Sequence, residues 1–412
     1  MNELSSVAAP ATPVPLPPAQ VAFTGDRGEF RRLVTRGAGL ELVTFGFYRF
    51  WLLTDIRRHL WLNTSVDGDA AEYTGRGKEL LVGFLFALAI LAPLYFVYFL
   101  VSIEAERYQA FASIPLFVIL YAFGQFAIYR ARRYRLTRTV WRGVRFWMDG
   151  SGWAYSLRAM LWGLLVLLTL GLAVPWRDAA LERYKMRHSY YGELQGDFEG
   201  TGWEYFKRAW WLWPVCVAAV IVYAVATMYS LHGARFNPEL RVAVLVRQGL
   251  AAIIVLPLAP FLYAQFRARQ WRWWLSGIRI GGVRLESTLS HRAFYGLYWK
   301  VIGWFLLMFI VYGIILVVGA AVIVVLVGRT AAINPDGTLG IPLMVVMVAG
   351  YIAFMLAFNI VTRIYLLRDI WGKVLKSTEV RGIEAAANVQ AKGELAGALG
   401  EGFADGLDVA GF

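Results

Sequence analysis

Six uncharged windows, each about long enough to cross a bilayer, constrain this chain more than any other feature. They are Leu80–Ile103, Ala110–Tyr129, Ala209–Leu231, Gln248–Phe266, Val301–Gly328 and Thr338–Thr362. A hydrocarbon core of about 30 Å needs roughly 20 apolar residues in a helix. The windows fall into close pairs. The sequence therefore predicts an all-α polytopic membrane protein with three transmembrane hairpins (six spans), over 80–129, 209–266 and 301–362. Composition points the same way: 58% of residues are hydrophobic and only 17% charged, against about a quarter charged in soluble domains. The lone Cys216 rules out a disulfide framework and a multi-cysteine metal site.

Two further segments are apolar but ambiguous. Ala159–Trp176 has only 18 residues, and Leu33–Trp51 carries Arg36, Glu41 and Arg49. A charge at the bilayer centre costs about 2.5–3.5 kcal/mol on the insertion scale, so Leu33–Trp51 is a poor span. The two share an ending: Thr44-Phe45-Gly46 precedes Trp51 as Thr169-Leu170-Gly171 precedes Trp176. Both are read as re-entrant or interfacial helices that bend at Gly46 and Gly171. Thr44, Gly46, Thr169 and Gly171 then become candidates for a solute or partner site, because irregular backbone at membrane depth needs partners inside protein or water. The plainer reading is that Thr169 bonds its own helix and Gly171 allows close packing.

Charge sets the orientation. Only five of the 41 Lys and Arg residues lie in the links 104–109, 232–247 and 329–337. By the positive-inside rule the opposite face is cytoplasmic, which places both termini inside and the chain in a bacterial inner membrane as a multi-pass protein. The N-terminal stretch lacks the charged start and apolar core of a signal peptide. Residues 1–22, rich in Pro and Ala, and 383–412, rich in Ala, Gly and acid, read as flexible tails.

The chain also resembles itself. Phe23-Thr24-Gly25, Tyr73-Thr74-Gly75 and Phe198-Glu199-Gly200 share an aromatic-x-Gly start, with weaker versions at Phe146 and Leu285. Before most of these comes a basic run and a small-residue turn, which suggests short extended or turn elements on the cytoplasmic face. The spacing divides the chain into repeat units at 23–145 and 146–284 and a shorter unit at 285–382. Basic runs directly after spans suit lipid headgroups, since cations snorkel to phosphate while their stems stay apolar. The candidates are Arg57, Arg58, Arg130, Arg132, Arg133, Arg135, Arg267 and Arg269.

These pieces together resemble the YjgN family of bacterial inner-membrane proteins. The resemblance rests on FTGDRGEFRRLV (23–34), LVTFGFYRFW (42–51), RRHLWLNTSVDG (57–68) and YTGRGKELLVGFL (73–85), with LLTLGLAVPW (167–176) and FEGTGWEYF (198–206) as later stations. It covers roughly residues 22–382. It implies a polytopic inner-membrane protein of undefined biochemical function and supplies no catalytic residues. The chain departs from the usual pattern at Arg36, Glu41 and Arg49, and at Ala173-Val174-Pro175.

Reactive groups do not converge in the sequence. His59, His188, His232 and His291 show no zinc spacing, and Cys216 reads as a small buried hydrophobe. Asp197, Glu199 and Glu204 form an acidic group expected to pair with Arg183, Lys185 or Lys207. No enzyme, metal, cofactor or nucleic-acid role is expected. The leading reading is a non-enzymatic membrane scaffold or accessory subunit, with anionic lipids and other membrane proteins as partners. The alternative is a channel or transporter for a small or amphiphilic solute.

Overall fold

The computed structural model describes residues 17–107, 113–236, 240–328 and 340–398, with Gly400, Glu401 and Ala404. Its framework grows from four tight hairpins of one plan: a three-residue strand, a two-residue turn and a five-residue strand. These are β2 (Thr64–Val66) with β3 (Asp69–Tyr73), β4 (Thr139–Trp141) with β5 (Val144–Met148), β6 (Ser189–Tyr191) with β7 (Leu194–Phe198), and β8 (Ile278–Ile280) with β9 (Val283–Ser287). In Asp67-Gly68 and Arg142-Gly143 both central φ angles are positive, as a type I′ turn requires. A fifth pair joins the two ends of the chain: β1 (Ala19–Phe23) runs antiparallel to β10 (Thr378–Arg381), with Gln20 opposite Glu379. Neighbouring hairpins pair in turn, and the ten strands close into an antiparallel barrel.

One hydrogen bond stitches each hairpin to the next. The residue after each five-residue strand donates its N–H to the carbonyl just before the short strand that follows in the chain. Thr24 reaches Asn63 at 3.0 Å, Thr74 reaches Arg138 at 2.8 Å and Asp149 reaches His188 at 3.0 Å. Glu199 reaches Gly277 at 2.9 Å and Thr288 reaches Ser377 at 2.8 Å. The barrel interior is full. Val66, Trp141, Phe146, Tyr191, Leu194, Ile280 and Val283 come from strands around the whole ring, yet they form one cluster with Ile383, Ala386 and Val389 of the segment after β10. Side chains from opposite walls meet only inside a barrel, so this barrel is a packed core and not a pore.

Each five-residue strand feeds a helical hairpin that returns to the following strand of three or, for β10, four residues. Two of these hairpins are short: α1 (Arg27–Val43) with α2 (Arg49–Leu62), and α5 (Gly152–Leu168) with α6 (Val174–Arg187). The others are long: α3 (Gly77–Arg107) with α4 (Ser113–Thr137), the bent α7 (Gly202–Ala209) and α8 (Leu212–Phe236) with α9 (Leu240–Gly277), and α10 (Tyr295–Leu326) with α11 (Ile341–Thr362). The last continues through a π-helical stretch, Arg363–Asp369, into α12 (Ile370–Lys376). Side-chain caps start several of them: Asp26, Ser151 and Thr201 each accept from the backbone N–H three residues on. Successive hairpins pack α2 on α3, α4 on α5, α6 on α7 and α9 on α10, and the last packs back on α1. Every hairpin begins and ends at a strand, so the barrel lies at one end of the helices.

The expected all-α, six-span fold is therefore corrected. The small extended elements of the sequence reading are the staves of a closed barrel. Among the described residues, three helical runs are long and apolar enough to cross a membrane: Gly77–Glu104, Tyr295–Leu326 and Ile341–Lys376. Gly202–Ala209 and Leu212–Val225 qualify only as a pair bent by 61°. The physical reason lies in the returning helices. In α4 the apolar run gives way to Arg130, Arg132, Arg133 and Arg135, and α9 carries Arg267, Arg269 and Arg272 within its helical length. In α4 the uncharged window is therefore half of an amphiphilic helix, and in α9 the side chains of 247–258, most of the window Gln248–Phe266, lie outside the described residues. The first residues of the window at Ala110, the link 329–337, residues 1–16 and residues 405–412 lie outside the described residues. Cys216 is also corrected: it is exposed on α8.

Candidate functional site

The basic runs and the aromatic-x-Gly starts meet at the junction of helices and barrel. Arg58 donates to the Gly75 carbonyl at 2.9 Å, Arg183 to that of Gly200 at 3.3 Å and Arg368 to that of Gly25 at 2.6 Å. Each arginine ends one helical hairpin and grips the backbone that starts the next. A planar guanidinium with several donors suits this role. Glu41, which made the first short hairpin look too polar to enter lipid, pairs with Arg363 at 3.2 Å.

Above the barrel, α4, α5, α6 and α9 enclose a cavity of about 480 Å³. Its charged lining comes from Arg132 and Arg135 of α4, Arg177, Asp178, Glu182 and Lys185 of α6, and Arg267 of α9. Tyr121, Tyr155, Trp271 and Trp274 supply flat apolar wall. Glu182 is the hub: Lys185 and Arg132 pair with it, and Trp274 Nε1 donates to it at 3.0 Å. Burial works to raise the Glu182 pKa, but the two cations and their hydrogen bonds hold it below the usual carboxylate range. Asp178 differs. Burial pushes its pKa up, although Arg177 sits 2.8 Å away.

Beside this cavity lies a second buried group. Arg57 is 2% exposed and donates to the Tyr73 hydroxyl at 3.1 Å. Its other partner is Glu401, 1% exposed, which also approaches Arg135 at 3.9 Å. Burial opposes the Arg57 charge, yet Glu401 and Tyr73 raise its pKa above the ordinary arginine value. The carboxylate arrives on the segment after β10. Ala396 N–H donates to Thr137 Oγ1 at 3.3 Å, Ala398 packs beside Leu80 and Tyr134, and Ala404 sits among Ala87, Ala127 and Ala131.

The sequence candidates are thus divided. Arg132, Arg135 and Arg267 converge on the cavity, whereas Arg57 is buried with Glu401 and Arg58 is spent on Gly75. Arg130 lies near Arg133, and Arg269 donates to the Gln265 side chain at 2.6 Å. Thr44 and Thr169 close their own helices: Thr44 Oγ1 donates to Leu40 O at 2.7 Å, and Thr169 Oγ1 to Leu165 O at 2.8 Å. Gly46 and Gly171 have φ of +87° and +90°, with open space around them. These four residues sit at the tips of the two short hairpins and do not line the cavity. Sequence reasoning missed Arg177, Asp178, Glu182 and Glu401. Asp178 and Glu182 are four residues apart on one helix face, a readable signal. Nothing in the sequence locates Glu401 beside Arg57, 344 residues away.

Other expected groupings shift. Asp197 pairs with Arg187 at 3.0 Å and Glu199 with Arg279 at 2.8 Å, while Arg183 holds backbone. His188 contacts Asp149 at 2.7 Å. Among the described residues, no three His, Cys, Asp or Glu side chains gather as a metal site would need.

Comparison with known proteins bears on this framework. Inner membrane protein YjgN of Salmonella typhimurium is 24% identical over 151 residues, covering 36% of this chain and 35% of that protein. The match thus spans about a third of the relative's length. No solved structure matches. With its long apolar helices, the chain is a membrane protein. The family model described as bacterial protein of unknown function (DUF898) matches residues 18–406, nearly the whole sequence, and the chain belongs to that family.

Proposed function

We propose that this protein is a non-enzymatic inner-membrane scaffold that holds its barrel on the cytoplasmic side and grips anionic lipid where barrel and helices meet. The observation that carries the reading is the filled barrel: with Trp141, Tyr191 and Ala386 buried at its centre, it offers no passage. Basic side chains crowd the barrel end of the helices, as the cytoplasmic side of a membrane favours. At the far ends of the short hairpins, Phe45 is 93% and Leu170 70% exposed. Both have positive φ, near 50°, so each is a strained apolar tip that gains by entering lipid. The two short hairpins therefore dip into the membrane from the barrel side and return. The stitched hairpins form a fivefold internal repeat, its last member split between the chain ends. Other membrane proteins dock on the exposed helices α10 and α11, which are hardly covered by this chain.

A transporter is the second reading, and the charged cavity is what favours it. Reconstitution separates the two. In vesicles of phosphatidylglycerol and phosphatidylcholine, the purified protein retains anionic lipid through washing and adds no flux of ions or small solutes over protein-free vesicles. Protein-dependent flux overturns the scaffold in favour of a transporter.

A further inference from the structure

Among the described residues, the cavity carries an imbalance of charge. Five cationic side chains and two carboxylates line it, an excess of three positive charges. The neighbouring Arg57 and Glu401 add one of each sign and leave the excess unchanged. Asp178 and Glu182 are already engaged by Arg177, Lys185 and Arg132. Arg267 meets no carboxylate among the described residues; its Nη1 donates to the Gln270 amide oxygen at 2.7 Å. Arg132 Nε is buried without an acceptor. Excess like charge held out of bulk water is unfavourable unless it is paired, and the volume falls within the roughly 300–1,000 Å³ of small-molecule sites.

We infer that this cavity binds a phosphomonoester dianion, held by Arg267, Arg132 and Lys185 against the aromatic wall. A dianion answers most of the excess, and a planar arginine fork matches its oxygens. A diester headgroup carries one charge and answers less. The lining runs from Arg135, two residues from the barrel end of α4, to Tyr121, fourteen residues up the same helix. At 1.5 Å per residue this is about 21 Å. Arg132, Arg135 and Lys185 lie within five residues of the barrel ends of their helices, Arg177 and Arg267 lie ten residues up, and Tyr121 is farther still. A site of this length, with Tyr121 and Ile128 in its wall beyond the arginines of α4, suits a phosphomonoester that carries an acyl tail, and a free phosphate shares the same head chemistry. The inference rests on the lipid-gripping part of the scaffold reading and names the group that is gripped.

The test uses the full chain in nonionic detergent and measures binding and thermal midpoint. The probes are phosphatidic acid, inorganic phosphate, phosphatidylglycerol and phosphatidylcholine. Phosphatidic acid should bind at least tenfold more tightly than phosphatidylglycerol. Binding of inorganic phosphate with similar strength assigns the site to the free anion; binding of phosphatidic acid alone assigns it to lipid. Arg267→Gln should weaken this binding about tenfold, the usual loss of one charge-assisted hydrogen bond. It should also leave the ligand-free midpoint equal or higher, because it removes one of the excess positive charges of the lining. A merely structural role for Arg267 would lower that midpoint. Lys185→Gln provides a second variant, and Arg272→Gln, exposed on the same helix, should bind as wild type. Equal binding of all four probes, or unchanged binding by Arg267→Gln and Lys185→Gln, overturns the proposal. If anionic lipid is still retained by those variants, the scaffold reading survives without the cavity; if the wild type conducts, the reading fails while the site stands.

Discussion

Replacing Gly46 by alanine isolates the conformational cost of the short-hairpin turn. Gly46 has φ +87°, and a methyl group built there meets nothing within 4 Å. The whole effect is therefore backbone strain set against unfolded-state entropy. A left-handed residue with a Cβ costs roughly 1–2 kcal/mol, and alanine recovers roughly 0.4–1 kcal/mol by restricting the unfolded chain. Gly46→Ala should destabilise by about 1 kcal/mol. Gly39 supplies the internal control: it lies within α1, has equally open surroundings and no positive φ. Gly39→Ala should stabilise by about 0.4–1 kcal/mol. The difference between the two variants cancels the unfolded-state contribution and reads the left-handed penalty directly, at about 1–2 kcal/mol. Gly171, with φ +90° and open surroundings, should behave as Gly46 does, and the double variant should be additive because the turns share no partner. Reversible unfolding in mixed micelles measures all four. If Gly46→Ala matches Gly39→Ala, the hairpin does not turn where the structure places it.

Glu401→Gln should destabilise strongly, because losing one partner of a buried pair typically costs about 3–5 kcal/mol. Arg57→Met combined with Glu401→Gln should recover part of the loss in a double-mutant cycle, and a silent Glu401→Gln would show that the segment is not seated. His59 supplies a pH dependence. Burial lowers its pKa from the ordinary 6.5 in the folded chain, so its contribution is present above about pH 6.5 and lost as pH falls through the lower folded value. His59→Gln should flatten this acid-side loss in a stability titration, and an unchanged slope refutes the assignment. In a Cys216→Ser background, Phe45→Cys and Leu170→Cys should resist an impermeant maleimide in intact membranes and react in detergent; ready labelling from either side would mean that the tips lie in water.

What the sequence made legible was the helical half. Hydropathy located the apolar runs, and the shared Thr-x-Gly endings picked out two hairpins whose tips turn at Gly46 and Gly171. The barrel was hidden for a physical reason. A strand of three residues such as Thr64–Val66 contains one full alternation, too little to distinguish it from a turn. Paired strands can also lie about 360 residues apart, as β1 and β10 do. The aromatic-x-Gly and basic motifs were visible separately, but their meaning is a contact: Arg58 on Gly75, Arg183 on Gly200 and Arg368 on Gly25. Charge counting along the chain read the arginines as lipid contacts. Only folding reveals that some hold backbone, that Arg57 is paired with Glu401, and that Arg132, Arg135 and Arg267 share one cavity.

Barrel closure is the feature from which the filled core, the one-sided helices and the split fifth hairpin all follow. It is tested by placing cysteines at Gln20 and Glu379, which are paired across β1 and β10, in a Cys216→Ser background. Paired residues in antiparallel strands lie about 4.5–5.5 Å apart, within the reach of a disulfide. Mild oxidation of Gln20→Cys/Glu379→Cys in native membranes should link the two ends of the chain. After proteolysis at an intervening link, the fragments should then stay together until reduced. Fragments that separate without reductant, while a β2–β3 control pair at Ser65 and Ala70 crosslinks, would show that the barrel is open.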